Sequence, residues 1–569
     1  MTFRVWAPAA SRVRVRTGGA DHEMTAGGGG WWFSDVPAPP GADYAFVLDD
    51  DEKALPDPRS AWQPQGVHGP SRIYDHSAFA WTDASWTGRA LPGGVIYELH
   101  IGTFTPEGTF DAAIERLDHL AGLGVTFVEV LPVNSFDGTD GWGYDGVLWG
   151  AAHEPYGGPD GFKRFVDACH ARGLAVVLDV VYNHLGPSGA YLDRFGPYFA
   201  GRNDWGPGLN LDGEGSDEVR RYVLDNALGW LRDFHVDALR LDAVHALNDR
   251  RATHLLEELA VEVEALSAAV RRPLTLIAES DLNDPRLVTA REGGGYGLHA
   301  QWCDDLHHAL HVTLSGETSG YYADFGAPGA LERTLRQAFF HAGTWSSFRE
   351  RTHGRPVDTR TVPGHRFLIY LQNHDQIGNR ATGDRLSASV SPGRLACGAA
   401  IVFCSPYTPM VFMGEEWAAS TPWQFFASFP DPELAEAVRT GRRREFARHG
   451  WGEAEVPDPM DRATVERSRL DWSEPGKEGH RKMLELYRSL IALRRSRPEL
   501  ADPWLDRFAV HADDALLVLD RGALRLVCNF GPEPADLGEP AGEVLASWGA
   551  ATATHLPPDT FVLIDTARR

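Results

Sequence analysis

Ala238-Leu-Arg240-Leu-Asp242-Ala-Val-His245 is a short apolar run of strand length that delivers a carboxylate at its C-terminal end. Arg240 and Asp242 are two residues apart, so their side chains share one face of the strand. The pattern recurs outward in both directions. Ala175-Val-Val-Leu-Asp179-Val-Val181 runs into Tyr-Asn183-His184, Leu274-Thr-Leu-Ile-Ala278 runs into Glu279, and Phe367-Leu-Ile-Tyr-Leu371 runs into Gln-Asn373-His374-Asp375. Helical patterns lie between these runs: Gly161 to Arg172 with Gly173 as terminator, Ser216 to Phe234, and Arg250 to Val270. Upstream, Val95 to His100 and Thr126 to Leu131 read as the first two strands. They flank an amphipathic helix, Asp111 to Leu123, with Ile114, Leu117 and Leu120 on one face. A weak sixth strand falls near Gly297 to Cys303 and the eighth is Thr408 to Met413. Strand–helix alternation argues a parallel sheet, and eight such units argue an α/β fold closed as a (β/α)8 TIM barrel with insertions. In that architecture the chemistry sits at the C-terminal ends of the strands, where these carboxylates fall.

The flanks change character. Phe3-Arg-Val-Trp6, Val13-Arg-Val15 and Tyr44-Ala-Phe-Val-Leu48 are short strands separated by Gly- and Pro-rich turns. Gly27 to Gly30 is a loop, because no helix signal follows it. Leu55-Pro-Asp-Pro-Arg-Ser60 reads as a linker folded against the next domain. After Pro498 the runs Leu516 to Leu519, Leu524 to Cys528 and Phe561 to Ile564 suggest a small sandwich, beyond a last barrel helix at Lys482 to Arg494. The expected division is an N-terminal β-sandwich resembling a carbohydrate-binding module (1–88), a catalytic barrel (89–498) and a C-terminal β-sandwich (499–569). Two insertions interrupt the barrel: Asp137 to Pro159, holding Trp142-Gly-Tyr144-Asp145, and Arg442 to Trp472, holding Gly450-Trp451-Gly.

The 569-residue chain carries a net charge of -25, which argues against a nucleic acid or an anionic membrane as partner. The N-terminus lacks an apolar signal core and no stretch is long enough to span a bilayer, so no membrane partner is expected. Five scattered cysteines (Cys169, Cys303, Cys397, Cys404, Cys528) show no metal-binding or disulfide spacing and fit a reducing cytoplasm.

Each motif has a plain structural reading. An isolated R-x-D is more often an ion pair at a strand end, Glu279 alone could be a helix-capping acid, and N-H-D could be a capping turn. Asp179, Asn183 and His184 could brace a loop, and no dense oxygen-ligand loop supports a metal reading. Together, at the ends of four strands of one barrel, they point to chemistry. Three carboxylates with Arg and His beside them suit glycosidic bond cleavage. Asp242 is short and rigid enough for a nucleophile. Glu279 reaches far enough to protonate a glycosidic oxygen, with its pKa raised by burial and acidic neighbours.

These motifs resemble those of the α-amylase family, glycoside hydrolase family thirteen, over roughly residues 90 to 500. The resemblance implies Asp242 as nucleophile, Glu279 as general acid/base and Asp375 as transition-state stabiliser. It places Arg240, His184 and His374 around the sugar in subsite −1, Tyr144 as the aromatic platform below it, and His245 toward the acceptor side. Ala238 stands where that family commonly has Gly. Further segments narrow the likeness to the branch that cleaves the α-1,4 bond beside a terminal trehalosyl unit. They are Glu98-Leu-His-Ile-Gly-Thr-Phe104, Leu131 to Gly138, Ala278 to Asp284, Trp302-Cys-Asp-Asp-Leu-His-His308, Gly378 to Asp384 and Arg448 to Glu453. The resemblance implies a malto-oligosyltrehalose or other α-glucan substrate, with trehalose recognised around His245, Trp302, Asp304 and the loops after the sixth and seventh strands. No cofactor is required, because carboxylates supply both attack and protonation, and a monomer or homodimer is expected. A branching or debranching enzyme of the same family, and a non-catalytic glycan-binding protein, are the alternatives.

Overall fold

The computed structural model describes residues 2–447, 456–513, 515–538 and 542–567. The Arg448 to Glu453 segment, with its Gly450-Trp451-Gly, lies outside the described residues. Eight parallel strands close into a barrel in sequence order: β1 (Ile96–Leu99), β2 (Phe127–Val130), β3 (Ala175–Val180), β4 (Ala238–Leu241), β5 (Thr275–Ala278), β6 (Ala300–Trp302), β7 (Phe367–Ile369) and β8 (Thr408–Phe412). β8 returns to β1 through the register Met410 to Ile96 and Phe412 to Glu98. The apolar runs form strands because barrel strands are covered on both faces, inside by one another's side chains and outside by helices.

The period of two sorts the residues. Ile96, Phe127, Val177, Ala238, Ile277, Leu368 and Met410 fill the interior as one apolar cluster. Two residues further up the same faces stand Glu98, Glu129, Asp179, Arg240 and Glu279, so the upper interior is built of charge. The lower end is built for stability. Asp237, just before β4, accepts from Trp86 Nε1 (2.8 Å), His170 Nε2 (2.9 Å) and the Val176 N–H (2.9 Å), while His170 Nδ1 meets Asp83 (2.9 Å). Asp237→Asn leaves this buried histidine facing an amide, and should cost about 3 kcal/mol. A fall in the urea midpoint with normal turnover at room temperature is the expected result; loss of turnover with unchanged stability would contradict it.

Helix boundaries depart from the sequence pattern in two places. The predicted Asp111–Leu123 helix is two pieces, Phe110–Ile114 and Leu117–Leu123, because the chain tightens at Glu115 and Arg116, where the Arg116 N–H bonds Ala113 O. The predicted Arg250–Val270 helix starts at Leu255, since Asp249, paired with buried Arg220, accepts the Leu255 N–H and holds residues 250–254 as a loop. The last barrel helix is longer than expected, Glu478–Ser496, with Leu484, Tyr487 and Ile491 buried.

The N-terminal strands form two sheets. Thr2–Trp6, Trp31–Pro37 and Thr25–Ala26 make one; Ala20–Glu23, Val13–Thr17, Asp43–Leu48 and Ser71–Arg72 make the other. Phe46 and Trp6 pack edge-on against Phe195 and Tyr198 of the loop after β3, which fastens this sandwich to the barrel. A five-stranded C-terminal sheet seats its fully buried strand Thr560–Asp565 against the barrel helix Pro392–Cys404. Among the described residues, no helix is long and apolar enough to cross a membrane.

Candidate active site

Arg240 organises the upper barrel. It is fully buried, and its Nη1 donates to both oxygens of Asp179 (2.9 and 2.8 Å) and to Asp242 Oδ1 (2.7 Å). Its Nη2 lies 3.7 Å from Glu279 Oε2. The guanidinium stands 4.3 Å above the Trp302 ring, within cation–π reach. Asp242 is held from its other side by Asn183 Nδ2 (2.7 Å). Adjacent strands β4 and β5 therefore present Asp242 and Glu279 to one cation.

The turn after Asp242 is unusual. Ala243 has φ of 40°, in the left-handed region that costs a non-glycine residue energy. That conformation directs the Ala243 N–H at Glu279 Oε2, and the next N–H, of Val244, bonds Glu279 O (2.9 Å). Burial, with Asp242, Asp375 and Asp304 nearby, pushes the Glu279 carboxyl up to about 8 against the pull of Arg240. The group is thus protonated at neutral pH and can donate a proton.

His374 and Tyr144 form the other wall. Burial opposes charge on His374, yet Asp375 and Glu98 overcome it and raise the imidazole to about 9. Its Nδ1 meets Glu98 Oε1, its backbone N–H reaches Glu98 Oε2 (3.1 Å), and its Nε2 donates to Tyr144 Oη (2.7 Å). Tyr144 Oη passes the chain on to Asp179 Oδ2 (2.6 Å), and the two rings stack at 5.2 Å. Asp375, 40% exposed, faces solvent from the end of β7. Glu129, paired in register with Glu98, has no hydrogen-bond donor on either oxygen among the described residues; burial, then Glu98 and Asp179, drive it well above the carboxylate range. Four acidic side chains, Glu98, Asp179, Asp242 and Asp375, thus lie within 4 Å of Arg240 or His374.

The remaining sequence-predicted residues are placed as follows. His184 turns Nε2 to Tyr144 O (3.0 Å) and Nδ1 to Asn183 Oδ1, so both nitrogens already face protein acceptors. His245 Nδ1 accepts the Asp281 N–H (3.3 Å). Trp302 is 3% exposed and lies beneath Arg240, in the barrel interior rather than at the cleft mouth. Asp304 accepts from Tyr370 Oη and from Gln376 Nε2 (3.3 Å), and burial raises it to about 6. Among the described residues, no three His, Cys, Asp or Glu side chains have a metal-holding arrangement.

Several residues at the mouth carried no sequence signal. Trp205, 48% exposed at the tip of the hairpin Phe199–Asn203 and Gly206–Leu209, has its ring 6.1 Å from His184 and 5.9 Å from His245. Beyond His245, Arg349 pairs with Asp281, and exposed Phe348 meets Tyr321 at 5.9 Å. Trp205 sits on the loop after β3, and Phe348 and Arg349 on the loop after β6, where periodicity is silent. The only pointer in the sequence is a large aromatic in a polar loop.

A closed parallel barrel with Asp242 and Glu279 at the ends of β4 and β5 on one buried arginine, and Asp375 beyond β7 beside His374, has the plan of an α-amylase-type glycoside hydrolase. The alpha amylase catalytic-domain model matches residues 72–203, and a domain of unknown function (DUF3459) matches 503–563. The chain belongs to the malto-oligosyltrehalose trehalohydrolase family: it is 58% identical over 553 residues to the enzyme of that name from Arthrobacter ramosus, covering 96% of this chain and 95% of that one. It is 56% identical over 552 residues to the one from Mycobacterium tuberculosis (strain CDC 1551 / Oshkosh), with the same coverage of both chains. A crystal structure of a Salmonella typhimurium protein described as an alpha amylase superposes with a TM-score of 0.92 at 38% identity, covering 99% and 97% of the two chains. The Anoxybacillus sp. LM18-11 pullulanase shares the fold at a TM-score of 0.72 and 18% identity, over 99% of this chain and 86% of that one.

Proposed function

We propose that this chain is a retaining glycoside hydrolase that cleaves the α-1,4-glucosidic bond next to the terminal trehalosyl unit of malto-oligosyltrehalose, releasing trehalose and a malto-oligosaccharide. The observation that carries the chemistry is the convergence of Asp242 and Glu279 on the two arms of one buried guanidinium. Placing both on one cation suits the close carboxyl pair of a retaining site. Asp242, held ready by Arg240 and Asn183, attacks the anomeric carbon while Glu279 protonates the departing oxygen. Glu279, now a base, activates the water that releases the sugar. Asp375 takes hydroxyls of the distorted ring, with Tyr144 and His374 beneath it and His184 at its edge. Trehalose leaves on the side of His245, Trp205, Asp281, Arg349 and Phe348; Asp304 braces that wall through Tyr370 and Gln376, and Trp302 acts from below through Arg240. The identities across almost the whole chain support trehalose as the leaving group. A cytoplasmic location and a monomer or homodimer belong to the same proposal; the five cysteines, free and buried, suit a reducing compartment.

The stereochemical test is direct. Proton NMR of the first product formed should show the α-anomer at the new reducing end before mutarotation, and a β-anomer would overturn the two-step route. The pH profile is set by Glu279, which must be protonated in the free enzyme. On the alkaline side, activity is therefore lost as pH rises through about 8. The alkaline limb of kcat/KM should fall there, and a flat profile to pH well above that value would assign the proton to another group.

A further inference from the structure

We infer that the cavity between residues 58–61 and the helix Ser216–Asp233 is a second binding site, for a glucosyl ring of an α-glucan chain. It is a half-open cavity of about 150 Å³ on the flank of the barrel, away from the strand ends. That is about five waters' share of liquid volume, on the scale of a single sugar ring. The floor is aromatic: Tyr222, Trp230 and Phe234. Polar groups stand around it in the mix a sugar ring needs, few and of both donor and acceptor kinds. Arg59 lies 5.3 Å over Tyr222 and donates to Asp225 (2.8 Å). Asn226 spends its oxygen on Tyr182 (2.7 Å), while its amide nitrogen has no acceptor among the described residues. His76, which burial pushes down to about 4, presents a neutral ring whose Nδ1 has no partner there.

Gly229 is the telling residue. It sits inside a long helix, where glycine costs stability. A Cβ added there would meet nothing nearer than Asp233 Oδ2 at 3.9 Å. Packing therefore does not require a glycine; its effect is to leave the cavity open. Arg59, which lines the cavity, also lies 5.6 Å over Trp31 of the N-terminal sandwich. Trp31 and Phe33 share one face of their strand with rings stacked 6.5 Å apart, and Phe33 is 44% exposed. Further rings of the same chain would pass over this ledge.

The choice of probe rests on the α-glucan reading above, and the test separates the two. Hydrogen exchange is followed on the full-length protein with and without maltotetraose. The expected result is slowed exchange at 58–61 and 222–234 as well as at the loops around Asp242, with the flank protection alone lost in Gly229→Met and weakened in Phe33→Ala. Both variants should keep normal turnover. Protection of the active-site loops with no change at the flank, in the native protein, would overturn the second site. Flank protection that survives Gly229→Met would overturn it as well. No protection of the active-site loops would instead count against the glycan reading itself.

Discussion

Asp242→Asn should leave a folded protein whose kcat on malto-oligosyltrehalose falls by on the order of 10⁴-fold or more, because no other group stands ready to form the glycosyl-enzyme. The amide still accepts from Arg240 but turns its NH2 toward Asn183 Nδ2, so the urea midpoint should fall modestly while the fold is kept. Glu279→Gln should lose about 10²- to 10⁴-fold on the same substrate. The two variants part on an α-glycosyl fluoride, whose leaving group needs no proton. There Glu279→Gln should form the glycosyl-enzyme and accumulate it, visible by intact-protein mass, whereas Asp242→Asn should form none. Near-normal turnover in either variant, or a covalent intermediate in Asp242→Asn, would sink the assignment of roles. The Ala243 backbone gives the pair its geometry: its N–H holds the Glu279 carboxyl from the residue that follows Asp242, so acid and nucleophile are positioned by one turn.

The second large effect falls on Arg240. Arg240→Met keeps the bulk but strips the cation from Asp179, Asp242 and Glu279, all within 4 Å of its nitrogens. Removing one partner of a buried ion pair costs about 3–5 kcal/mol because the remaining charges stay desolvated. The chain can relieve that by protonating Asp179 or Asp242, and a protonated Asp242 cannot attack. Stability and kcat should therefore fall together, with part of the stability returning as pH is lowered and the carboxyls take up protons. Arg240→Lys should rescue stability better than turnover, since a point charge cannot serve two carboxylates and the Trp302 face at once. Retained kcat in Arg240→Met would show that the guanidinium is only structural.

The barrel was legible because each strand is an apolar run with a turn or carboxylate at its end, and buried parallel strands tolerate little else. Even the three-residue β6 declared itself weakly, through the run ending at Cys303. Helix starts were less legible: Asp249 caps Leu255 across six residues, a contact no period of 3.6 contains. Asp242 and Glu279 could be read because each follows its strand directly; Asp375, six residues past the end of β7, was read from its Asn-His-Asp setting. The part of Glu98 could not, since a glutamate inside an apolar strand gives no hint that it will meet His374 from β7. Trp302 reads as a surface aromatic in a polar motif, yet parity on β6 turns it inward beneath Arg240. Trp205 and Arg349 reach the cleft only through the way two long loops fold, and loop tertiary placement leaves no local pattern.

The central claim is bond choice: cleavage next to a terminal trehalosyl unit. Maltotriosyl trehalose and a plain malto-oligosaccharide of equal length are given to the purified protein separately, and the products are resolved by chromatography. Rapid release of free trehalose with maltotriose is expected, with little attack on the plain chain. Comparable cleavage of both substrates, or transfer of glucan without free trehalose, would contradict it.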